Sequence, residues 1–109
     1  METLTRLEAT IAERRNASPD ASYVARLNVK GLPKIAEKVG EEATETIVAA
    51  LAGSREELTG EAADLLFHLL VLLDAKGIAF ADVLAELDRR EGVSGLEEKA
   101  ARNSQDTSE

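Results

Sequence analysis

The sequence predicts an all-α fold, a helical bundle of about five helices. No segment alternates apolar and polar residues with the period of two that is typical of a half-buried strand. Apolar residues instead recur every three or four positions between glycine and proline breaks. Aromatic residues make up only 3% of the 109 residues, which disfavours a sheet-rich fold, whereas a hydrophobic content of 44% suffices for a packed core.

Two short helices are predicted before the first long one. Residues 2–16 carry apolar residues at helical spacing and close on two arginines, which suit a helix C-terminus. Ser18 followed by Pro19 is typical of an N-cap and a first helical position. This pair predicts the start of a second helix, which ends near Gly31.

A third helix is predicted to begin at Pro33 and to end at Ala52, where Gly53 stops it. One set of apolar residues recurs at every fourth position along this segment and is expected to form its buried stripe. These residues are Ile35, Val39, Ala43, Ile47 and Leu51.

A fourth helix is predicted after Gly53, because Ser54 with Glu57 three residues later fits a capping box. It runs to Lys76 and stops at Gly77, so the third and fourth helices should form an antiparallel hairpin. A fifth helix is predicted over about residues 80–90. Its buried side is formed by Val83, Leu84 and Leu87.

The length is that of one domain, which we assign to residues 1–102, and the polar tail 103–109 is predicted to be disordered. Between Leu65 and Leu73 the fourth helix is apolar on every side apart from His68, and such a helix has to be covered all round. Four other short helices cannot cover it fully. We therefore expect homodimerisation to complete the core.

Charge and composition exclude several classes of function. With 13 basic and 21 acidic residues the net charge is −8, which opposes binding to nucleic acid or to an anionic membrane. No cysteine and a single histidine leave no disulfide framework and no conventional zinc site, so a metal would be held by oxygen. The N-terminal residues show no secretory signal, and no apolar run approaches the roughly 20 residues that span a bilayer. We expect a soluble, cytoplasmic protein.

Two acidic pairs are the strongest functional signal. Glu42 and Glu45 lie three residues apart on the third helix, and Glu61 and Asp64 repeat that spacing on the fourth. In an antiparallel hairpin the two pairs can face each other, and four carboxylates around one cavity repel unless a hard divalent cation lies between them. Oxygen-only ligation favours Mg²⁺. The alternative, a solvated charged face, is less available to the pair that heads the apolar fourth helix.

The spacing of the basic residues is a second indication of function. Four of them follow one another at four-residue intervals: Arg26, Lys30, Lys34 and Lys38. They would suit an anion site beside the metal, as a polyphosphate requires. Equally, Lys34 and Lys38 could pair with acidic residues of their own helix, which are Glu41, Glu42 and Glu45. The sequence leaves both interpretations open.

His68 and Tyr23 are the remaining polar candidates. His68 follows Asp64 by one helical turn, and we predict a core histidine hydrogen-bonded to Asp64 rather than a catalytic base. Tyr23 could stack on a nucleotide base or fill space in the bundle. The sequence does not separate these two roles.

Four blocks of sequence carry a family resemblance: SYVARLNVKGLPKIAEKVGEEATETIVAA, GEAADLLFHLLVLL, ADVLAELDRR and SGLEEKAAR. They resemble the phosphoribosyl-ATP pyrophosphatase family of histidine biosynthesis, which belongs to the all-α, MazG-like nucleotide pyrophosphatases. The superfamily motif is ExxE followed by ExxD. Glu42 and Glu45 match its first half, and Glu61 and Asp64, after 15 intervening residues, match its second. The resemblance extends from about residue 4 to residue 102.

The resemblance implies a magnesium-dependent hydrolysis of the α–β phosphoanhydride of phosphoribosyl-ATP, which yields phosphoribosyl-AMP and pyrophosphate. It makes Glu42, Glu45, Glu61 and Asp64 metal ligands, with Glu41 as a further ligand or the residue that orients the water. Substrate contacts would come from Tyr23, Arg26, Lys30, Lys34 and Lys38. Family members form homodimers or larger assemblies. Because the chain has no cysteine, it cannot supply the metal site of the cyclohydrolase to which this activity is often fused, so we expect a single function.

Two alternatives remain at this point. The first is a MazG-like house-cleaning pyrophosphatase that acts on free or damaged nucleoside triphosphates, and competition between substrates distinguishes it. The second is a non-catalytic helical dimerisation module whose carboxylates are surface charge. That module would gain no thermal stability from magnesium, whereas a carboxylate site would.

Overall fold

The computed structural model describes residues 2–91, and its regular secondary structure in that range is entirely helical. Its elements are α1 (Glu2–Arg14), α2 (Tyr23–Lys30), α3 (Leu32–Ala52), α4 (Arg55–Ala75) and α5 (Phe80–Glu91). The expected all-α class with five helices is therefore confirmed over these residues. The SGLEEKAAR block and the tail 103–109 lie outside them.

The chain divides into two compact units, of which the first ends at Ile78 and contains α1 to α4. The second begins at Ala79 and contains α5. Among residues 2–91, the helices are all too short or too polar to cross a bilayer.

The start of α2 differs from the prediction, because Ser22 and not Ser18 is the N-cap. The Ser22 hydroxyl accepts a hydrogen bond from the backbone N–H of Ala25 at 3.2 Å. Ser18 instead begins a turn, in which its carbonyl accepts from the backbone N–H of Ala21 at 3.0 Å. A helix that begins after Ser22 buries both Val24 and Leu27, and this packing decides where the helix starts.

Replacing Ser22 by Ala is expected to lower the free energy of unfolding by about 1 kcal/mol, since it removes the acceptor for an otherwise unpaired N–H at the start of α2. Ser18→Ala is the matched control, and we expect it to cost less than about 0.5 kcal/mol. Urea denaturation of both variants measures the difference. Equal losses would contradict the assignment of Ser22 as the cap.

A single residue, Gly31, connects α2 to α3. Its backbone N–H donates to the carbonyl of Leu27 at 3.0 Å, and its own carbonyl accepts from the N–H of Ile35 at 3.2 Å. With φ at 98° and ψ at 173° it adopts a conformation that is open almost only to glycine. The glycine thus ends one helix and begins the next with no loop between them.

The buried face of α3 differs from the predicted stripe. Ile35 is buried as expected, but Ile47 is 59% exposed and Leu51 is 84% exposed. Four residues turn a helix by about 400°, so a stripe at every fourth position drifts by about 40° per step and reaches the opposite side after four steps. Seven residues return to within about 20° of the same direction. The buried seam accordingly runs through Ile35, Glu42 and Ala49, and it includes a glutamate.

The hairpin of α3 and α4 forms as predicted. Ser54 and Glu57 make a reciprocal capping box at the start of α4, and Gly77, with φ at 70°, follows its C-terminal cap. The two helices make the most extensive packing contact among the described elements. The four largest fully buried side chains form the centre of this unit: Ile11, Ile35, Leu70 and Val71.

Helix α5 begins at Phe80 as expected, but the buried side predicted for it is incomplete. Val83 and Leu84 are half-buried, whereas Leu87 is 55% exposed. Periodicity predicts which face of a helix is apolar and does not predict how much of that face is covered. On this helix Arg89 and Arg90 lower the pKa of Glu86 to about 2.

Candidate metal centre

Three of the four predicted metal ligands lie together between α3 and α4. Glu42, Glu45 and Glu61 each offer a carboxylate oxygen, and these oxygens all lie within 4.8 Å of one another. We call these three residues the acidic cluster. Glu42 is buried, Glu61 is half-buried and Glu45 is exposed, so the cluster extends from the packed seam to the surface.

Asp64 and Glu41 lie outside the acidic cluster. Asp64 is exposed and is not a member of the group, although its charge acts on both Glu42 and Glu61. Glu41 is exposed too, and its carboxylate accepts a hydrogen bond from Lys38 at 2.9 Å. Asp64 thus lies at the rim of the cluster, close enough for its charge to act on two members without being one. The Glu41 carboxylate is paired with Lys38.

Thr46, which was not among the predicted site residues, supports the cluster. Its hydroxyl lies 2.7 Å from the carbonyl oxygen of Glu42 on α3 and 3.2 Å from that of Glu61 on α4. One hydroxyl proton is therefore shared between the main chains of two acidic residues, which fixes the spacing of the helices at that level. In the sequence, only its position one turn after Glu42, on the face of α3 that meets α4, indicates this bridging role, and that indication is weak.

Burial and mutual repulsion of the carboxylates dominate the electrostatics of the cluster. The close approach of the Glu45 carboxyl raises the pKa of Glu61 to about 7, and desolvation and the charges of Glu42 and Asp64 add to the effect. Burial, followed by the proximity of Glu45, raises the pKa of Glu42. The Oε2 atoms of Glu42 and Glu61 are buried and have no hydrogen-bond partner. Such unpaired buried oxygens are costly to the folded state.

The cluster fits a hard divalent cation. Its donor set consists only of carboxylate oxygens, and its two unpaired oxygens are those that a cation would satisfy. Around one Mg²⁺ ion with bonds of about 2.1 Å, ligand oxygens lie at most about 4.2 Å apart. The three carboxylate oxygens, within 4.8 Å of one another, are close to that spacing. The residues could hold such an ion and leave further positions for water or phosphate oxygens.

Among the predicted basic residues, Lys38 is the one that reaches the cluster. Its Nζ lies 2.9 Å from Glu41 Oε2 and 3.9 Å from Glu42 Oε1. The hydrogen bond between Lys38 and Glu41 raises the pKa of Lys38 and lowers the pKa of Glu41. The pairing interpretation is therefore confirmed for Lys38, which also leaves its ammonium beside a cluster residue.

The other basic residues have different surroundings. Lys34 pairs with Glu37 at 3.3 Å and not with any of the predicted partners, because Glu41 is seven residues away, about 10.5 Å along the helix axis. Arg26 donates to the carbonyl of Pro19 at 2.9 Å. Lys30 is exposed in the last turn of α2.

His68 is a buried core histidine, as predicted, and its bond to Asp64 is made to the backbone. Nδ1 lies 2.7 Å from the Asp64 carbonyl oxygen, and Nε2 lies 2.8 Å from the hydroxyl of Tyr23. Tyr23 is 39% exposed and stacks on Phe67 with 6.2 Å between ring centroids. The contact of Tyr23 with His68 could not be predicted from local sequence patterns, since 45 residues separate the two.

A cavity of about 310 Å³ opens beside the cluster, toward the turn between α3 and α4. It is lined by Thr44, Glu45, Val48, Ala49, Ala52, Gly53, Glu57 and Glu61. Two cluster residues thus form part of its wall, and its remaining wall is largely apolar. A volume of about 310 Å³ lies at the lower end of the range typical of small-molecule sites.

Comparisons with known proteins bear on this site. A family profile described as phosphoribosyl-ATP pyrophosphohydrolase matches residues 4–91. The chain is 76% identical over 102 residues to a protein of Erythrobacter litoralis named phosphoribosyl-ATP pyrophosphatase, covering 94% of this chain and 98% of that protein. A protein of the same name from Novosphingobium aromaticivorans is 72% identical, over 94% of this chain and 95% of its own length. Another from Zymomonas mobilis is 59% identical, over 93% of this chain and 94% of its own length.

Proposed function

Because this chain belongs to the phosphoribosyl-ATP pyrophosphohydrolase family, we propose that it hydrolyses phosphoribosyl-ATP to phosphoribosyl-AMP and pyrophosphate, a step of histidine biosynthesis. The acidic cluster is the observation that supports this reaction best. Its two buried, unpaired oxygens are suited to a cation, and a polyphosphate substrate needs a cation to enter a chain of charge −8.

We propose Mg²⁺ as that cation, held by Glu42, Glu45 and Glu61, with Asp64 able to join from the rim. When bound, Mg²⁺ neutralises phosphate charge and makes a water molecule more acidic at neutral pH. The residues of the chain provide the geometry: Thr46 holds the two acidic segments together. The packing of α3 on α4 keeps the ligands in place before substrate arrives.

Among the basic residues, we propose Lys38 as the one that contacts the phosphates at which the bond is broken. Its ammonium is held by Glu41 and lies close to Glu42, so it can meet charge that develops on a phosphate oxygen next to the cluster. Glu41 then acts by positioning Lys38. None of the other predicted substrate residues belongs to the acidic cluster, and in this proposal they contact other parts of the substrate: Tyr23, Arg26, Lys30 and Lys34.

We further propose that the enzyme is a cytoplasmic homodimer, as expected from the sequence. Apolar side chains that are exposed on α3 and α4 support a second copy as the partner: Ile47, Val48, Leu51 and Leu66. Val48 also lines the cavity beside the cluster, so a partner that covers this face would border the substrate site.

The direct test measures pyrophosphate release by purified, tag-free protein from phosphoribosyl-ATP and from a panel of nucleoside and deoxynucleoside triphosphates. We expect rapid release from phosphoribosyl-ATP with Mg²⁺, none after chelation by EDTA, and recovery when Mg²⁺ is restored. The same preparation should sediment as a dimer at micromolar concentration.

Two outcomes would overturn the proposal. Comparable turnover of free deoxynucleotides would favour the house-cleaning alternative. An absence of pyrophosphate release, together with no thermal stabilisation by Mg²⁺, would favour a non-catalytic module.

A further inference from the structure

The cavity beside the acidic cluster carries charge of one sign on its wall. Its charged lining residues are Glu45, Glu57 and Glu61, and the described residues that line it include no lysine or arginine. Glu45 and Glu61 belong to the acidic cluster, so a cation bound there would offset their charge. Glu57 lies outside the cluster, one helical turn before Glu61 on α4. It is therefore the carboxylate of this wall that remains free to meet a ligand.

The capping box holds Glu57 at the end of the cavity where α4 begins. Its Oε1 accepts a hydrogen bond from the backbone N–H of Ser54 at 3.4 Å, and its own N–H donates to the Ser54 hydroxyl at 3.1 Å. Gly53 leaves room for the second oxygen, because a Cβ added there would lie 3.1 Å from Glu57 Oε2. An ionised carboxylate accepts hydrogen bonds and cannot donate one, so it suits an N–H donor or a positive charge.

The rest of the wall consists of small or apolar side chains. Val48, Ala49 and Ala52 of α3 contribute most of it. Thr44 also lines the cavity, but its hydroxyl already donates to the carbonyl of Gly40 at 3.0 Å. A phosphate inside this cavity would be repelled by the glutamates and would find no cationic side chain among the lining residues. The cavity therefore suits a part of the substrate that is flat, weakly hydrated and not anionic.

The base of phosphoribosyl-ATP differs in charge from the base of ATP. Adenine in ATP keeps a free lone pair on N1 and is neutral at neutral pH. The phosphoribosyl group is attached to that N1, so the ring and its exocyclic nitrogen form an amidinium that stays protonated and cationic at neutral pH. A largely apolar cavity with a carboxylate at its end complements such a flat, cationic base that donates an N–H.

We propose that this cavity binds the N1-substituted adenine ring of the substrate, and that Glu57 selects this ring over the neutral adenine of ATP through a charge-assisted hydrogen bond. The phosphates then extend toward the acidic cluster, whose Glu45 and Glu61 also line the cavity. This inference rests on the proposed function and names a residue that determines which nucleotide is accepted. Glu57 takes no part in breaking the phosphoanhydride.

Equilibrium binding of two nucleotides tests the proposal without turnover. The probes are 1-methyl-AMP, whose base is a cation at neutral pH, and AMP, whose base is neutral. Isothermal titration calorimetry of the full chain with Mg²⁺ should show that 1-methyl-AMP binds about tenfold more tightly, as one charge-assisted hydrogen bond provides. Glu57→Gln retains a capping-box side chain and should reduce the ratio to about one. Glu56→Gln changes an exposed glutamate of the same helical turn that does not line the cavity, and should leave the ratio unchanged.

Steady-state kinetics should show the corresponding change in substrate choice. In Glu57→Gln we expect the KM for phosphoribosyl-ATP to rise about tenfold while kcat stays near the wild-type value, because the base is held equally in the ground and transition states. Any pyrophosphate release from ATP, whose base is neutral, should be unaffected. The preference for phosphoribosyl-ATP, measured as the ratio of the two kcat/KM values, should therefore fall about tenfold.

A second pair of variants tests the cavity and does not depend on the capping box. Ala52 lines the cavity and Ala50 does not, although both are exposed residues near the end of α3. Ala52→Leu narrows the cavity and should weaken the binding of both nucleotides about tenfold. Ala50→Leu, the matched control, should bind them with wild-type affinity.

Three outcomes would contradict the proposal. Wild-type protein that binds 1-methyl-AMP no more tightly than AMP, or a Glu57→Gln variant that keeps the tenfold preference, would show that Glu57 does not select the base. Wild-type affinity in Ala52→Leu would place the base elsewhere. A wild-type protein that shows the binding preference but releases no pyrophosphate from phosphoribosyl-ATP would instead refute the proposed function and leave the base site standing.

Discussion

Glu42→Gln and Glu61→Gln are each expected to reduce pyrophosphate release by at least about 10³-fold, equivalent to about 4 kcal/mol of transition-state stabilisation. Each substitution removes one negative ligand from a cluster of three and keeps the size of the side chain. Because the Oε2 atoms of both residues are buried and unpaired in the structure, their loss should affect cation binding directly. Steady-state assays at saturating Mg²⁺ measure the effect.

Glu56→Gln is the matched control for these two variants. Glu56 is an exposed glutamate in the first turn of α4, on the same helix as Glu61 but outside the cluster, and its replacement should leave turnover near the wild-type value.

Stability should move in the opposite direction to activity: without metal at pH 8, Glu61→Gln should melt at a higher temperature than wild type. Retained turnover in either cluster variant would remove that residue from the site.

Metal-free protein is expected to lose stability as the pH rises through about 7, and Mg²⁺ should restore it. The pKa of Glu61 in the fold is about 7, above the 4.5 of an unperturbed glutamate, so the folded state binds more protons than the unfolded chain between these values. The stabilising contribution of the protonated carboxyl is complete below about pH 4.5 and is lost as the pH rises through about 7. Glu42, whose pKa is also raised, contributes in the same direction.

Mg²⁺ at about 100 times its dissociation constant should add about 2.7 kcal/mol to the free energy of unfolding. For a domain of this size that corresponds to a rise in Tm of roughly 10–20 °C. The rise should be larger at pH 8 than at pH 5, because at low pH protons compete with the cation for the cluster. Differential scanning calorimetry in EDTA and in Mg²⁺ at matched ionic strength measures both effects. A Tm shift that is equal at the two pH values, or absent in Mg²⁺, would contradict a cation site at these carboxylates.

The helices and most of their ends could be predicted from the sequence, because the signals that set them are local. The capping box at Ser54, the glycines at 31 and 53 and the proline that opens α3 each act within one turn of the chain. Where a prediction of this kind was wrong, packing decided between two local alternatives: Ser22 displaced Ser18 as the cap of α2 because the later start buries Val24 and Leu27.

The candidate site was predicted in part. The spacing of the two acidic pairs was sufficient to bring Glu42, Glu45 and Glu61 together, since an antiparallel hairpin with a short turn fixes which residues face each other. The sequence did not determine that Asp64 would lie at the rim, nor that Lys38 would reach the cluster. These depend on side-chain length and rotation within about 1 Å, which periodicity does not specify.

By itself, the sequence determined the class of this protein, the order of its helices and the pairing of its acidic segments, because helix formation and capping depend on interactions within a few residues. Only the tertiary structure decided which turn of α3 is buried, that Thr46 bridges Glu42 and Glu61, and that His68 meets Tyr23. Those contacts join residues 15 and 45 positions apart. They follow from how the helices pack in three dimensions. The same packing brings three of the 21 acidic residues together into one cluster.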